Sequence, residues 1–514
     1  MKATAAATAM LLLPQAALSH SSPLYTSFSG PRAHFPATFL ATVPSHTLSN
    51  TKRPPILNQR RRVAVIRGGA AVTAEGSFQV PPAGTESGDG NKGSSVSTAT
   101  FNLIKNILGA GVLSLPSGVG AFSSNPMALV PAVALTMGMG SLSAYCFTLI
   151  ARVCALNKVE TYGEAWEKSV GKKTAWMVPA ACTFKTFCAC TAFSIIIADS
   201  FSSLFGATPG FPALLAQRTN VIVWMTSLVL LPLCMLKSFA PLAPFSLLGI
   251  LGTVFTGAVI ALRLLDGSYA PGGQFHEAIA ASLRPSLLSG SSSPLLSPMV
   301  FVLVSMLSTS FIAHYNAPKF YTELENRSIP KLNKVVQNSF NFCTAAFAFI
   351  MGCGYLTFGG ASQGLILNNY AEQDVLAKMC RLAIGASIVF GYPLTFVGIR
   401  DGVLSLLGRK APSTRTQTVT TLVLLAVVST LAVFLRDVGF VVSLGGALLG
   451  SCIIYIFPAI IFIKTMAQKV ATGEVVETPA VKREVLLNKG ITALGVLLAI
   501  IGATVSVLKA FILK

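Results

Sequence analysis

Residues 100–119, TFNLIKNILGAGVLSLPSGV, decide how the chain folds. The stretch is too apolar for a loop. Asn102, Lys105, Asn106 and the triplet Gly109-Ala110-Gly111 nevertheless interrupt it, and Pro116 follows. In lipid every backbone N–H and C=O needs a partner inside the protein, so a helix broken here must line a cavity or be buried. Broken helices that bare their backbone near the bilayer midplane are how secondary transporters hold substrates and ions. The plainer alternative is an ordinary spanning helix packed through small residues. Two Asn and one Lys argue against it, because polar groups inside a span are costly.

The rest of the chain agrees with a membrane setting. Its 514 residues are 53% hydrophobic and only 11% charged, with a mean hydropathy of +0.67. A soluble domain carries about 25% charge. The formal net charge of +20 does not signal nucleic acid. Eight Lys/Arg precede residue 75, most of the others sit in short loops, and no basic patch has interleaved aromatics. The ten cysteines lie in or at the ends of apolar stretches. Cys182, Cys188 and Cys190 have no His or carboxylate beside them, so they are expected to pack as small apolar residues without binding a metal. No disulfide framework, nucleophile elbow or nucleotide loop is present, which excludes the usual enzyme classes and implies no cofactor.

Residues 1–74 contain Lys2, Arg32, Lys52, Arg53, Arg60, Arg61, Arg62 and Arg67 but no Asp or Glu, in a Ser-, Thr-, Ala- and Pro-rich background. That composition suits an organelle transit peptide. It points to a plastid (chloroplast) membrane, with vacuolar or plasma membrane as the alternatives if the segment is a disordered tail. Residues 75–98, rich in Gly, Ser and Pro, form an expected flexible linker. A transmembrane domain of 99–511 follows. Its apolar stretches fall at 99–120, 127–151, 174–203, 219–236, 239–265, 296–317, 335–358, 376–400, 416–435, 438–463 and 488–511, predicting eleven spans near the twenty residues a bilayer needs. With the N-terminus inside, inner loops hold nineteen Lys/Arg and outer loops eight. This is a positive-inside bias that a missed span would scramble.

Span 6 repeats the anomaly of span 1. Ser308-Thr-Ser-Phe-Ile-Ala-His-Tyr-Asn-Ala-Pro318 breaks its apolar run. Spans 1 and 6 open two five-span sets, 1–5 and 6–10, and interruptions at corresponding positions of two halves point to a transporter's binding site. Half-helix N-termini would face an anionic group such as an amino acid carboxylate, and freed carbonyls a cation or ammonium.

Four stretches resemble the amino acid/auxin permease family, and its neutral amino acid transporters in particular. They are Phe101 to Leu113 in span 1, Ser194 to Asp199 in span 3, His314 to Leu324 after the span 6 break, and Tyr392-Pro393 to Arg400 ending span 8. The resemblance covers roughly residues 98–511. It implies an all-α integral membrane protein with the leucine-transporter 5+5 inverted repeat, one added helix, interrupted spans 1 and 6, and alternating access. By position it implies that Gly109, Ala110 and Gly111 offer backbone to a substrate carboxylate, and that Ser310, Phe311, Ile312 and Ala313 face them. Asn102 matches an asparagine of the sodium site in sodium-coupled members. The threonine that partners it in span 8 has no counterpart here, Ser387 and Thr395 being the nearest hydroxyls.

Three further residues carry paired expectations. Lys105 either replaces a bound ion with its own charge or snorkels to the interface. His314, an imidazole that titrates near physiological pH, either couples protons or pins the break through a hydrogen bond. Lys185, near the middle of span 3, must face the interior, since a lipid-facing charge is expensive there, and either meets a structural partner or serves transport. Asp199 is expected to meet water. The function expected is secondary transport of amino acids, neutral ones because no arginine or carboxylate pair in the spans serves a charged side chain. The expected driving partner is a proton, or sodium as the alternative. A transporter-like sensor would carry a long inner domain, and the inner loops here are short.

Overall fold

The structure, a computed structural model, describes residues 93–236, 245–287, 295–409 and 412–512. The transit-like extension and all but the last residues of the linker lie outside them. Among the described residues there is no named strand, only the isolated bridges Ser94↔Leu324 and Ser286↔Gly359. Eight helices among the described residues are long and apolar enough to cross a bilayer. They are Pro126–Asn157, Lys172–Gly206, Val300–Thr322, Ile329–Phe358, Val375–Leu406, Thr414–Phe434, Val438–Ala471 and Pro479–Phe511. A ninth stretch is a pair, Val96–Ile107 and Gly111–Phe122, bent by 44°. The expected span 4 is a shorter apolar helix, Arg218–Cys234, and the expected span 5 contains the helix Phe245–Leu265. The eleven expected stretches thus correspond, among the described residues, to eight helices long enough to cross, one bent pair, and the helices Arg218–Cys234 and Phe245–Leu265.

Local chemistry sets where helices start. Ser95 caps the first, accepting from the Thr98 N–H at 3.2 Å, and a reciprocal capping box of Thr161 and Glu164 opens the short helix Tyr162–Ser169. The helices Ile329–Phe358 and Pro479–Phe511 begin well before the apolar stretches expected there, because polar turns carrying Lys331, Lys334, Lys482, Arg483 and Glu484 continue them beyond the apolar run. The surface is an apolar belt, with Val130, Met137, Leu228, Leu251, Phe349 and Ile500 all more than half exposed. An apolar surface this extensive is stable only in lipid.

The packing repeats itself with a shift of five. Span 2 lies along span 7, span 3 along span 8, and span 1 against span 6. Span 5 packs on spans 7 and 8 as span 10 packs on spans 2 and 3, while span 4 meets span 8 as span 9 meets span 3. An odd shift pairs helices that cross in opposite directions, so the two halves form an inverted repeat. The helix Pro479–Phe511 stands outside this pairing and packs on spans 10 and 6.

Polar contacts between loops sort into two faces. On one, Ser94 bonds the backbone of Glu323 and Glu325, and Arg152 pairs with Glu484. There too Asn157 reaches Ser169 and Thr465. On the other face, Asp199 accepts from Arg218 at 2.7 Å and from Asn368 at 3.0 Å, so it is paired and does not simply meet water. The Arg436-Asp437 turn supplies a cap, with Asp437 accepting the Gly439 N–H at 2.8 Å. This face also holds Asp374, which is fully buried. It takes two bonds from Arg263 and one from the Tyr269 hydroxyl, and it caps the helix Val375–Leu406. Asp374→Asn keeps the cap but removes the charge facing Arg263. Breaking a buried pair costs about 3–5 kcal/mol. Asp266, the guanidinium's other partner, offsets part of that loss. We expect a destabilisation near the lower figure, measured by thermal unfolding in detergent.

Candidate functional site

The two breaks lie side by side. Helix Val96–Ile107 ends at Leu108, Gly109 is extended (φ −116°, ψ 179°), and a 3-10 turn Ala110–Ser114 leads into helix Leu115–Phe122. Because Ala110 and Gly111 open that turn, their N–H groups have no acceptor within it. In span 6 the helix Val300–Ser310 stops, Phe311, Ile312 and Ala313 are irregular, and a 3-10 turn His314–Asn316 leads into Ala317–Thr322. The Ser310 carbonyl belongs to the last helical turn and those of Phe311 and Ile312 follow it, so none has a helical N–H to accept from. A Cβ on Gly111 would stand 3.6 Å from Ser310 Oγ, so backbone donors of one break meet the end of the other helix. Gly109 is exposed, and a Cβ there would have nothing within 4 Å. An exposed glycine directly after buried Ile107 and Leu108 marks open space at the break.

The side chains of span 6 mostly turn away from that space. Phe311 is fully buried, with its ring 4.9 Å from Phe347 and 6.1 Å from Phe340. Ser310 Oγ bonds back to the Met306 carbonyl. Ile312 and Ala313 are buried too, so what this strand of residues can offer a ligand is backbone. His314 is completely buried, and its Nε2 donates to the Ser143 carbonyl of span 2 at 2.9 Å, fastening the break to that helix.

No hydrogen bond or ion pair links the other expected site residues, Asn102, Lys105 and Ser387, to one another. Asn102 is exposed, and Lys105 is half-buried without a hydrogen-bond or ion-pair partner among the described residues. Ser387 faces span 5, where a Cβ on Gly249 would lie 2.8 Å from its hydroxyl. No hydrogen bond joins it to Asn102.

Two features lay beyond the sequence. The first is Lys185, whose Nζ sits 3.4 Å from the Tyr315 hydroxyl and 4.9 Å from the ring centroid, tying span 3 to the turn after the span 6 break. Its mid-span position signalled an interior partner but not which one. The second is a π-helical run, Gly446–Ile456, in span 10. Its glycines Gly446 and Gly450 lie against Ser305 and Ser308 of span 6, and Thr309 Oγ1 donates to the Val442 carbonyl at 2.6 Å. Wide turns of this kind recur at functional sites. The cluster Gly445-Gly446 and Gly450 in an apolar span is the signal that could have flagged close helix approach.

An inverted pair of five-helix sets, with two unwound helices meeting at its centre, is the architecture of a membrane carrier that works by alternating access. The chain matches the family described as transmembrane amino acid transporter protein over residues 92–508, and it belongs to that family. It transports amino acids across a membrane. It is 24% identical over 371 residues, 72% of this chain and 76% of the relative, to the Bos taurus protein provisionally named sodium-coupled neutral amino acid transporter 11. It is 25% identical to the amino acid transporter AVT6E of Arabidopsis thaliana, over 73% of this chain and 77% of that one. Among solved structures it superposes on MhsT in complex with L-phenylalanine with a TM-score of 0.49 and 14% identity, covering 81% of this chain and 100% of that chain.

Proposed function

We propose that the chain carries neutral amino acids without sodium, the gradient of a proton or of the substrate itself driving uptake. The observation that supports a central substrate site is the approach of Gly111 to Ser310 beside the open space at Gly109. There the free N–H groups of the span 1 turn would take a carboxylate and the free carbonyls of span 6 an ammonium. Neutral side chains are favoured because glycine, serine, phenylalanine, isoleucine and alanine form both breaks. The nearby ammonium of Lys185 is engaged by Tyr315. A sodium site is disfavoured because the Ser387 hydroxyl lies against Gly249 of span 5 and no hydrogen bond joins it to Asn102. Lys185 then supplies, as a fixed charge, the cation that a sodium-coupled carrier has to bind.

Purified protein in liposomes, loaded with labelled neutral amino acids under a proton gradient, a sodium gradient or neither, tests this reading. Uptake that ignores sodium is the expected result. Sodium-driven accumulation would overturn it. Lys185→Met removes the fixed charge and its hold on Tyr315. A cation over an aromatic ring contributes about 2 kcal/mol when desolvated, so uptake should fall more than about tenfold. Lys185→Arg, which keeps the charge and the ring contact, should retain part of it.

A further inference from the structure

A cleft of about 210 Å³ lies on the outside of the bundle, between the end of span 10 and the start of the last helix. Ile460, Ile463, Lys464, Lys489 and Thr492 line it. Both lysines stand where an apolar run meets polar sequence: Lys464 follows Phe457 to Ile463, and Lys489 precedes the run from Ile491 onward. That is headgroup depth for a helix crossing a bilayer. Several other basic residues on this face have partners: Arg152 pairs with Glu484, Lys469 with Glu474 and Lys482 with Glu477. Lys464 and Lys489 are exposed and have no hydrogen-bond or ion-pair partner among the described residues, though they share one small cleft. Two like charges so placed repel until an anion lies between them. The isoleucine wall below them suits hydrocarbon.

We propose that this cleft binds the phosphate headgroup of an anionic phospholipid, bridged by Lys464 and Lys489, with its first acyl methylenes against Ile460 and Ile463. Basic pockets between spanning helices recognise such headgroups. At the strength usual for a lysine near a membrane surface, two lysines give a roughly thirty-fold preference for anionic over zwitterionic lipid.

The test uses the full chain purified in detergent and given phosphatidylglycerol, phosphatidylcholine or inorganic phosphate. Lipid retention is read by native mass spectrometry and Tm by thermal unfolding. Phosphatidylglycerol should be retained and should raise Tm, phosphatidylcholine and inorganic phosphate should do neither, and K464Q/K489Q should lose the preference. K172Q/K173Q, which changes two lysines elsewhere in the loops, should keep it. Ile463→Trp fills the cleft with both charges in place and should also abolish retention, which separates a shaped site from a diffuse charge effect. Equal retention of both lipids, an equal effect of inorganic phosphate, or unchanged retention in K464Q/K489Q and Ile463→Trp would overturn the proposal. Should K464Q/K489Q fail to fold, K464R/K489R and Ile463→Trp decide it: retention by the first and loss in the second support the site, and any other pair of results refutes it.

Discussion

Gly109→Phe should fold and insert like the parent protein yet lose most of its amino acid uptake. The backbone at this position is extended, a conformation open to any residue, and a Cβ would touch nothing within 4 Å. The substitution therefore meets no neighbour in the structure, and stability should stay within about 0.5 kcal/mol, as for a surface change. The ring instead fills the space in front of the N–H groups of Ala110 and Gly111, where a substrate carboxylate is proposed to bind. Filling a closed site overpacks it by about 1–3 kcal/mol. Carrier function needs the site to close around its cargo, so uptake should drop by well over about tenfold. Gly109→Ala, with one methyl in the same space, should keep measurable transport. Liposome uptake alongside Tm checks both. Normal transport by the phenylalanine variant would show that the open space is not the substrate's.

Gly446→Ala should have the opposite signature, a loss of folded protein before any loss of transport can be measured. A Cβ there would collide with the Ser305 carbonyl and the Thr309 hydroxyl of span 6. The carbonyl belongs to a helix backbone and cannot rotate aside, so span 10 must back away from the helix that leads into the break. That move also threatens the bond from Thr309 to the Val442 carbonyl. We expect about 2–3 kcal/mol of destabilisation, at the upper end for overpacking, seen as a lower Tm and a lower yield. Gly138→Ala makes the control. It sits in helix Leu129–Asn157, is exposed and has nothing within 4 Å of its would-be Cβ. Alanine is the better helix former by about 1 kcal/mol, so this variant should be unharmed or slightly more stable.

The two substitutions also show how much of the molecule was legible beforehand. Gly109 and the irregular residues after Ser310 stood out because a Gly-Ala-Gly triplet and a Ser/Thr/His/Asn/Pro run interrupt an apolar helix, whatever surrounds them. Gly446 did not stand out, since small residues are common in spans and only a neighbour reveals close approach. Ser387 was a candidate partner for Asn102 by chain position, and only the packing shows its hydroxyl against Gly249 of span 5. His314 carried two readings that composition could not separate, and the Ser143 carbonyl within 2.9 Å shows the bond it makes. Asp199 looked like a helix end in water because Arg218 and Asn368, its partners, are 19 and 169 residues away in the chain.

By itself, the sequence determined the apolar stretches, the two broken ones and the asymmetry of loop charge. These are local properties: a bilayer tests each stretch of about twenty residues for apolarity and each backbone group for a partner. Only the tertiary structure decided which face of each helix meets protein and which meets lipid. A spanning helix is apolar all round, so its periodicity does not mark the buried side. The pairing of Lys185 with Tyr315, of Gly446 with Ser305 and of Lys464 with Lys489 is set by how neighbouring helices pack.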